Sequence, residues 1–340
     1  MRREYASIAA MGALLVSSQV IAILLAPLFL SGGFQAFSNA NDVTNTAVYI
    51  VLILAFTGVI LLLVRYRRQN VAKYVILASI FVTLAFILLL PLYGGFCYAT
   101  GRQVECFATS PLVDPNEIAF LTFLANLSTL LAFVIAGGLI YLLVKFPEWY
   151  VVDSIGFVTA AGVTAILGIS FGLLPAILLL LALAVYDAWA VYRTKHMVTL
   201  ADELTSQRLP ILLVVPKKAG YSFLEQKSLK EQVATGEERE AMFVGLGDLI
   251  IPGILSVSAF TFLNTGAYNA MGLSLGPLAP YSIVALATVI GTLIGFIVLM
   301  RFVIKGNPQA GLPLLNGGAL LGFVISHLVV YGNLTLGLHF

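Results

Sequence analysis

IGFVTAAGVTAILGISFGLLPAILLLLALAVYDAWAV, running from Ile155 to Val191, is 37 residues long and carries one charge, Asp187. As a single helix at about 1.5 Å per residue it would reach about 55 Å, far more than a hydrocarbon core of about 30 Å. The chain therefore has to double back. Gly168, Gly172 and Pro175 predict the corner, because glycine permits unusual backbone angles and proline cannot continue a helix from the preceding turn. The stretch becomes two spans, Ser154 to Gly172 and Leu174 to Tyr192.

The rest of the chain has the same character: 60% of its 340 residues are hydrophobic, 10% are charged, and the mean hydropathy is +1.01. That composition excludes an ordinary water-soluble domain. Stretches of about 20 apolar residues, the length that crosses a bilayer, recur at Tyr5 to Leu30, Thr46 to Val64, Val71 to Tyr93, Ile118 to Val144, Met242 to Phe262, Tyr281 to Phe302 and Leu312 to Tyr331. The expected fold is an all-α polytopic membrane protein with nine transmembrane helices.

Basic residues give the orientation, since Lys and Arg collect on the cytoplasmic side. With the N-terminus inside, 17 of the 18 fall in cytoplasmic segments and only Arg102 lies outside. An N-in, C-out arrangement and an odd number of spans support each other. The first span follows Arg2 and Arg3 but is too long for the h-region of a signal sequence and offers no small-x-small cleavage site, so it is read as retained. Cys97 and Cys106 both lie in the exterior loop from Gly94 to Asp114, where an oxidising environment permits a disulfide or leaves two unpaired thiols.

Arg193 to Glu240 is the one sizeable polar segment and reads as a solvated, flexible cytoplasmic linker. It divides one integral membrane domain into helices 1 to 6 (1–192), a loop (193–241) and helices 7 to 9 (242–340). No internal repeat is evident.

Of the 16 acidic residues, 14 fall in loops, termini or the first residues of a span. The exceptions are Asp187 and Asp248, the latter in Met242-Phe-Val-Gly-Leu-Gly-Asp-Leu-Ile-Ile-Pro252. An ionisable group inside a span is costly and usually functional. Asp187 is six residues from Arg193, about 9 Å of helix, and Asp248 is eight from Glu240, about 12 Å. Consecutive antiparallel helices thus carry them at one level, nearer the cytoplasm. Of two carboxylates held together one keeps its proton, which supplies a general acid and a general base for adding water to a peptide carbonyl. The position makes that peptide part of another transmembrane segment.

Gly245 and Gly247 leave room for a second backbone, as small residues do between membrane helices. Pro252 withdraws a hydrogen bond from the carbonyl of Asp248. Gly311-Leu-Pro-Leu-Leu-Asn316 opens the ninth span; it reads either as a proline in a first helical turn or as a backbone that receives an extended substrate by strand addition. His196, His327 and His339 are scattered, no His-Glu-x-x-His is present, and no Gly-x-Ser-x-Gly supplies a nucleophile. No metal, cofactor or nucleic acid is called for. Two competing readings are a cation channel or ion-coupled transporter using the same aspartates, and a prepilin-type peptidase, which the depth of Asp187 and the nine spans disfavour.

Tyr186-Asp187, Gly245-Leu246-Gly247-Asp248 and Pro313-Leu314-Leu315, in this order on these spans, resemble the presenilin and signal peptide peptidase family of intramembrane aspartyl proteases, the GxGD type. The resemblance covers the whole nine-span plan. It implies a presenilin-like fold, catalytic roles for Asp187 and Asp248, and a place beside the active site for Pro313 to Leu315, with Leu314 standing where the family has alanine. Gly245 to Gly253 is more similar to signal peptide peptidases, whereas the N-in orientation is that of presenilins, so a microbial or archaeal presenilin-like protease is expected. Its partners would be substrate transmembrane helices and the lipid bilayer. Presenilins work with partner subunits; whether this chain has accessory subunits or forms a homo-oligomer stays open.

Overall fold

The computed structural model describes residues 2–66, 69–102, 106–107, 114–194, 212–217, 221, 241–265, 272–304 and 309–333. Among them are nine α-helices: α1 Arg2–Ser31, α2 Thr44–Arg65, α3 Gln69–Ala99, α4 Pro115–Lys145, α5 Trp149–Ser170, α6 Leu173–Trp189, α7 Leu246–Phe262, α8 Pro280–Ile304 and α9 Gly311–Tyr331. Seven are long and apolar enough to cross a membrane, and two apolar stretches are shorter, Thr44–Ile60 of α2 and Leu246–Phe262 of α7. Helices apolar on every side satisfy all their backbone groups internally, which is the condition for lying in lipid. The chain is therefore an integral, multi-pass membrane protein.

The predicted corner is present, for a partly different reason. α5 ends at Ser170 and α6 begins at Leu173, with Gly172 at φ −62° and ψ 172°, a conformation open to any residue. What glycine supplies is space, because a Cβ there would collide with the side chain of Asn41. The segment after α1 closes over the turn. Gln35 Nε2 donates to Ile169 O at 3.1 Å, Ala36 N–H to Ser170 Oγ at 2.8 Å and Gly172 N–H to Ala40 O at 2.8 Å. Pro175 sits in the first turn of α6, where a missing N–H costs nothing, and its carbonyl accepts the Thr46 hydroxyl at 2.9 Å.

α5 is the most enclosed helix, with 61% of its apolar window buried against 22% for α4. α1, α3 and α7 pack on it. α7 is tied on two sides, by Ser258 Oγ donating to Phe171 O at 2.8 Å and by Ser256 Oγ donating to Gln19 Oε1 at 3.2 Å. α8 and α9 meet backbone to backbone: a Cβ at Gly291 would strike the Gly318 carbonyl, one at Gly295 the Leu314 carbonyl, one at Gly318 the Gly291 carbonyl and one at Gly322 the Ala287 carbonyl. With no water to expel from lipid, this close approach supplies the dispersion contacts that hold membrane helices together.

Two expectations are corrected. The seventh span was expected from Met242, but the helix begins only at Leu246, and Ala241–Gly245 (β2) is a strand paired antiparallel with Leu212–Pro216 (β1), Val214 opposite Phe243. The loop read as a solvated, flexible linker therefore contains a strand at 212–216. Leu212-Leu-Val-Val-Pro216 is an apolar run that polar surroundings could not solvate. It buries Leu213 against Ala160 and Leu249, Val214 near Val152 and Ile155, and Val215 near Met11 and Leu15. Residues 195–211, 218–220 and 222–240 of that loop lie outside the described residues. At the end of α3, Cys97 and Cys106 form a disulfide. Beside it Arg102 pairs with Glu117 at 2.6 Å and lies over the ring of Phe120.

Candidate active site

Asp187 lies two residues before the end of α6, and Asp248 two residues after the start of α7. Comparable helix ends, rather than comparable depths along two uniform helices, bring the pair together. Beyond Trp189 the α6 backbone widens into a π-turn, Ala190–Thr194, and the N–H of Ala190 donates to the carbonyls of both Asp187 and Tyr186.

α7 starts at the end of β2, with Gly245 as its N-cap and no side chain capping it. Asp248 is the third residue of the helix, where a carboxylate can reach back to the N-cap amide and complement the positive end of the helix dipole. Its carboxylate interacts with the Gly245 N–H in this way. The two aspartates are also close enough to act on each other electrostatically. Both are half-buried.

They converge on the start of α9. Its N-cap, Ala310, has no side-chain acceptor, and the first amides of a helix have no partner within it. Asp187, from another helix, fills that gap: its Oδ2 accepts the Leu312 N–H at 3.0 Å, and the Gly311 N–H interacts with the same carboxylate. Pro313 follows in the first turn, where it needs no donor. On the other side of Gly311 stands Asp248, both of whose oxygens would be 3.3 Å from a Cβ at that position. Gly311 therefore lets one helix end touch two carboxylates. One turn further, Asn316 Nδ2 donates to Leu180 O at 2.8 Å, a second tie between α9 and α6.

Other predicted site residues take lesser places. Tyr186 is 47% exposed. Gly247 is exposed, and among the described residues a Cβ at Gly245 would meet only the Asp248 carboxylate, at 3.5 Å. Leu246 packs with Leu213 and Leu249. Gly311 to Leu315 is helical, with Pro313 in the first turn. Leu315 is buried and Leu314 half-buried among Met11, Leu15 and Phe296. Pro313 is half-buried. Reasoning from the sequence missed Asn316, whose polarity in an apolar helix was the available signal, and gave Gly311 and Leu312 no role of their own.

The sequence matches the family model described as signal-peptide peptidase, presenilin aspartyl protease, over residues 12–106 and 115–331. Two solved structures are similar, each described as a presenilin family intramembrane aspartate protease. The one in space group C222 is 32% identical with a TM-score of 0.59, covering 94% of this chain and 98% of its own. The one in space group P2 is 32% identical with a TM-score of 0.58, covering 93% and 96%. No curated protein matches.

Proposed function

The chain belongs to the signal-peptide peptidase and presenilin family of intramembrane aspartyl proteases, and from that premise we propose that Asp187 and Asp248 are its catalytic pair. The observation that carries the assignment is the meeting of both carboxylates at the first turn of α9. One carboxylate takes a proton from a water between them while the water oxygen attacks the carbonyl carbon of the substrate. The protonated carboxyl gives its proton to the carbonyl oxygen. In the second half the protonated carboxyl gives its proton to the departing nitrogen, the other carboxylate takes back a hydroxyl proton of the tetrahedral adduct, and the C–N bond breaks, leaving the carboxyl and amine products and the singly protonated pair restored.

The substrate is a transmembrane segment of another membrane protein, cut where the helix ends admit water from the cytoplasmic side. Nine spans with the N-terminus inside, α7 crossing as a short helix of 17 residues, fit the 17-to-1 distribution of basic residues. Purified protein in detergent should cleave a transmembrane peptide, and Asp187→Asn and Asp248→Asn should each lower the rate by about a hundredfold or more. Undiminished cleavage by either variant overturns the assignment.

A further inference from the structure

Asp153 is an acid that the chemistry above does not use. It lies in the second turn of α5, between Val152 and Ile155, both buried against Val214, Ala241 and Phe243. A carboxylate on such a surface loses solvation and persists only where it is hydrogen-bonded. Its Oδ1 accepts the backbone N–H of Val214 at 2.7 Å.

The geometry of β1 gives that bond a meaning. In an antiparallel pair successive N–H groups point alternately towards the partner strand and away from it. The Val214 N–H is turned to Asp153, so Val214 and Phe243 are a non-hydrogen-bonded pair, and the ladder falls to Leu213 with Val244 and Val215 with Met242. A slip of one residue would present Asp153 with an N–H already turned towards β2. A slip of two in one direction would present Pro216, which has none. The strand that Asp153 holds is paired with β2, whose last residue is the N-cap of α7, three residues from Asp248. A two-stranded sheet is marginal by itself, so its placement depends on such anchors.

We propose that Asp153 is a positioning residue that fixes the register of the β1–β2 sheet on α5 and so sets the approach of Asp248. This rests on the catalytic assignment made above. The role belongs to an accepting oxygen, not to a charge, which separates it from general electrostatics.

The test uses the full chain in detergent with a transmembrane peptide. Asp153→Asn keeps an acceptor and should stay within about threefold of the parent kcat, whereas Asp153→Ala should lose about tenfold or more in kcat with KM within about twofold. A cross-strand disulfide from Val214→Cys with Phe243→Cys should form readily in the parent, more slowly in the Asp153→Ala background, and once formed should restore most of the lost kcat. Parent-like turnover by Asp153→Ala overturns the proposal. So does a folded Asp153→Asn as impaired as Asp153→Ala, or cross-linking indifferent to residue 153. Thermal unfolding identifies variants that fail to fold, and cross-linking yield reports the register even if Asp248→Asn proves active and the catalytic assignment falls.

Discussion

Leu312 donates its backbone N–H to the carboxylate of Asp187 at 3.0 Å, so α9 is capped by a residue of α6. The bond comes from the main chain, which makes the side chain at 312 dispensable and the amide essential. Leu312→Ala should keep most of the activity, while Leu312→Pro, which removes the donor, should lower kcat by about tenfold or more. Equal rates for the two would show that the cap does not matter to turnover.

Gly311 leaves the space that Asp248 occupies. A methyl group there would sit 3.3 Å from both carboxylate oxygens, a contact that forces a shift of a few tenths of an ångström. Gly311→Ala should slow peptide cleavage measurably, and Gly311→Val should reduce it by about a hundredfold, as misplacement of a reacting group by about 1 Å does. A fully active Gly311→Val would remove this glycine from the site.

Asn316 bonds the Leu180 carbonyl from a fully buried position. Asn316→Leu removes a polar tie between α9 and α6 and should destabilise the fold by about 1 kcal/mol. Thermal unfolding in detergent should fall accordingly, and kcat should drop with it because the same two helices hold Asp187 and its cap. An unchanged unfolding temperature would assign the bond no net weight.

The α8–α9 contact predicts a steeper loss. Gly291→Val and Gly318→Val each place carbon where the opposite backbone lies, and overpacking of this kind costs about 1–3 kcal/mol or more. Both variants should unfold at lower temperature than Gly138→Val, whose Cβ meets open space.

Orientation can be read from the only two cysteines in the chain, Cys97 and Cys106. After mild reduction of intact cells, a membrane-impermeant maleimide added outside should label the protein. Labelling only after the membrane is opened would reverse the proposed topology.

Much of this was legible in the sequence because lipid makes polarity conspicuous. Asp187 and Asp248 stood out as charges in apolar runs; length required the chain to double back, and Gly168, Gly172 and Pro175 marked where. β1 did not, because a five-residue apolar run is ambiguous between strand and helix, and its partner lies across a long polar loop. Asp153 was grouped with acids at the beginnings of spans, although its worth lies in a strand more than 50 residues away. Gly311 was hidden for another reason: a residue that acts by leaving room is defined by its tertiary neighbour, which no local pattern announces.

The interlocked glycines of α8 and α9 have a mechanical consequence. Two rods joined backbone to backbone tilt as one lever, and Ile290, Ile294 and Ile297 form part of its outer surface. Its inner end is Gly311, wedged between the two carboxylates. A sideways displacement of α8 would therefore carry α9 with it and shift Gly311 against the carboxylates of Asp187 and Asp248.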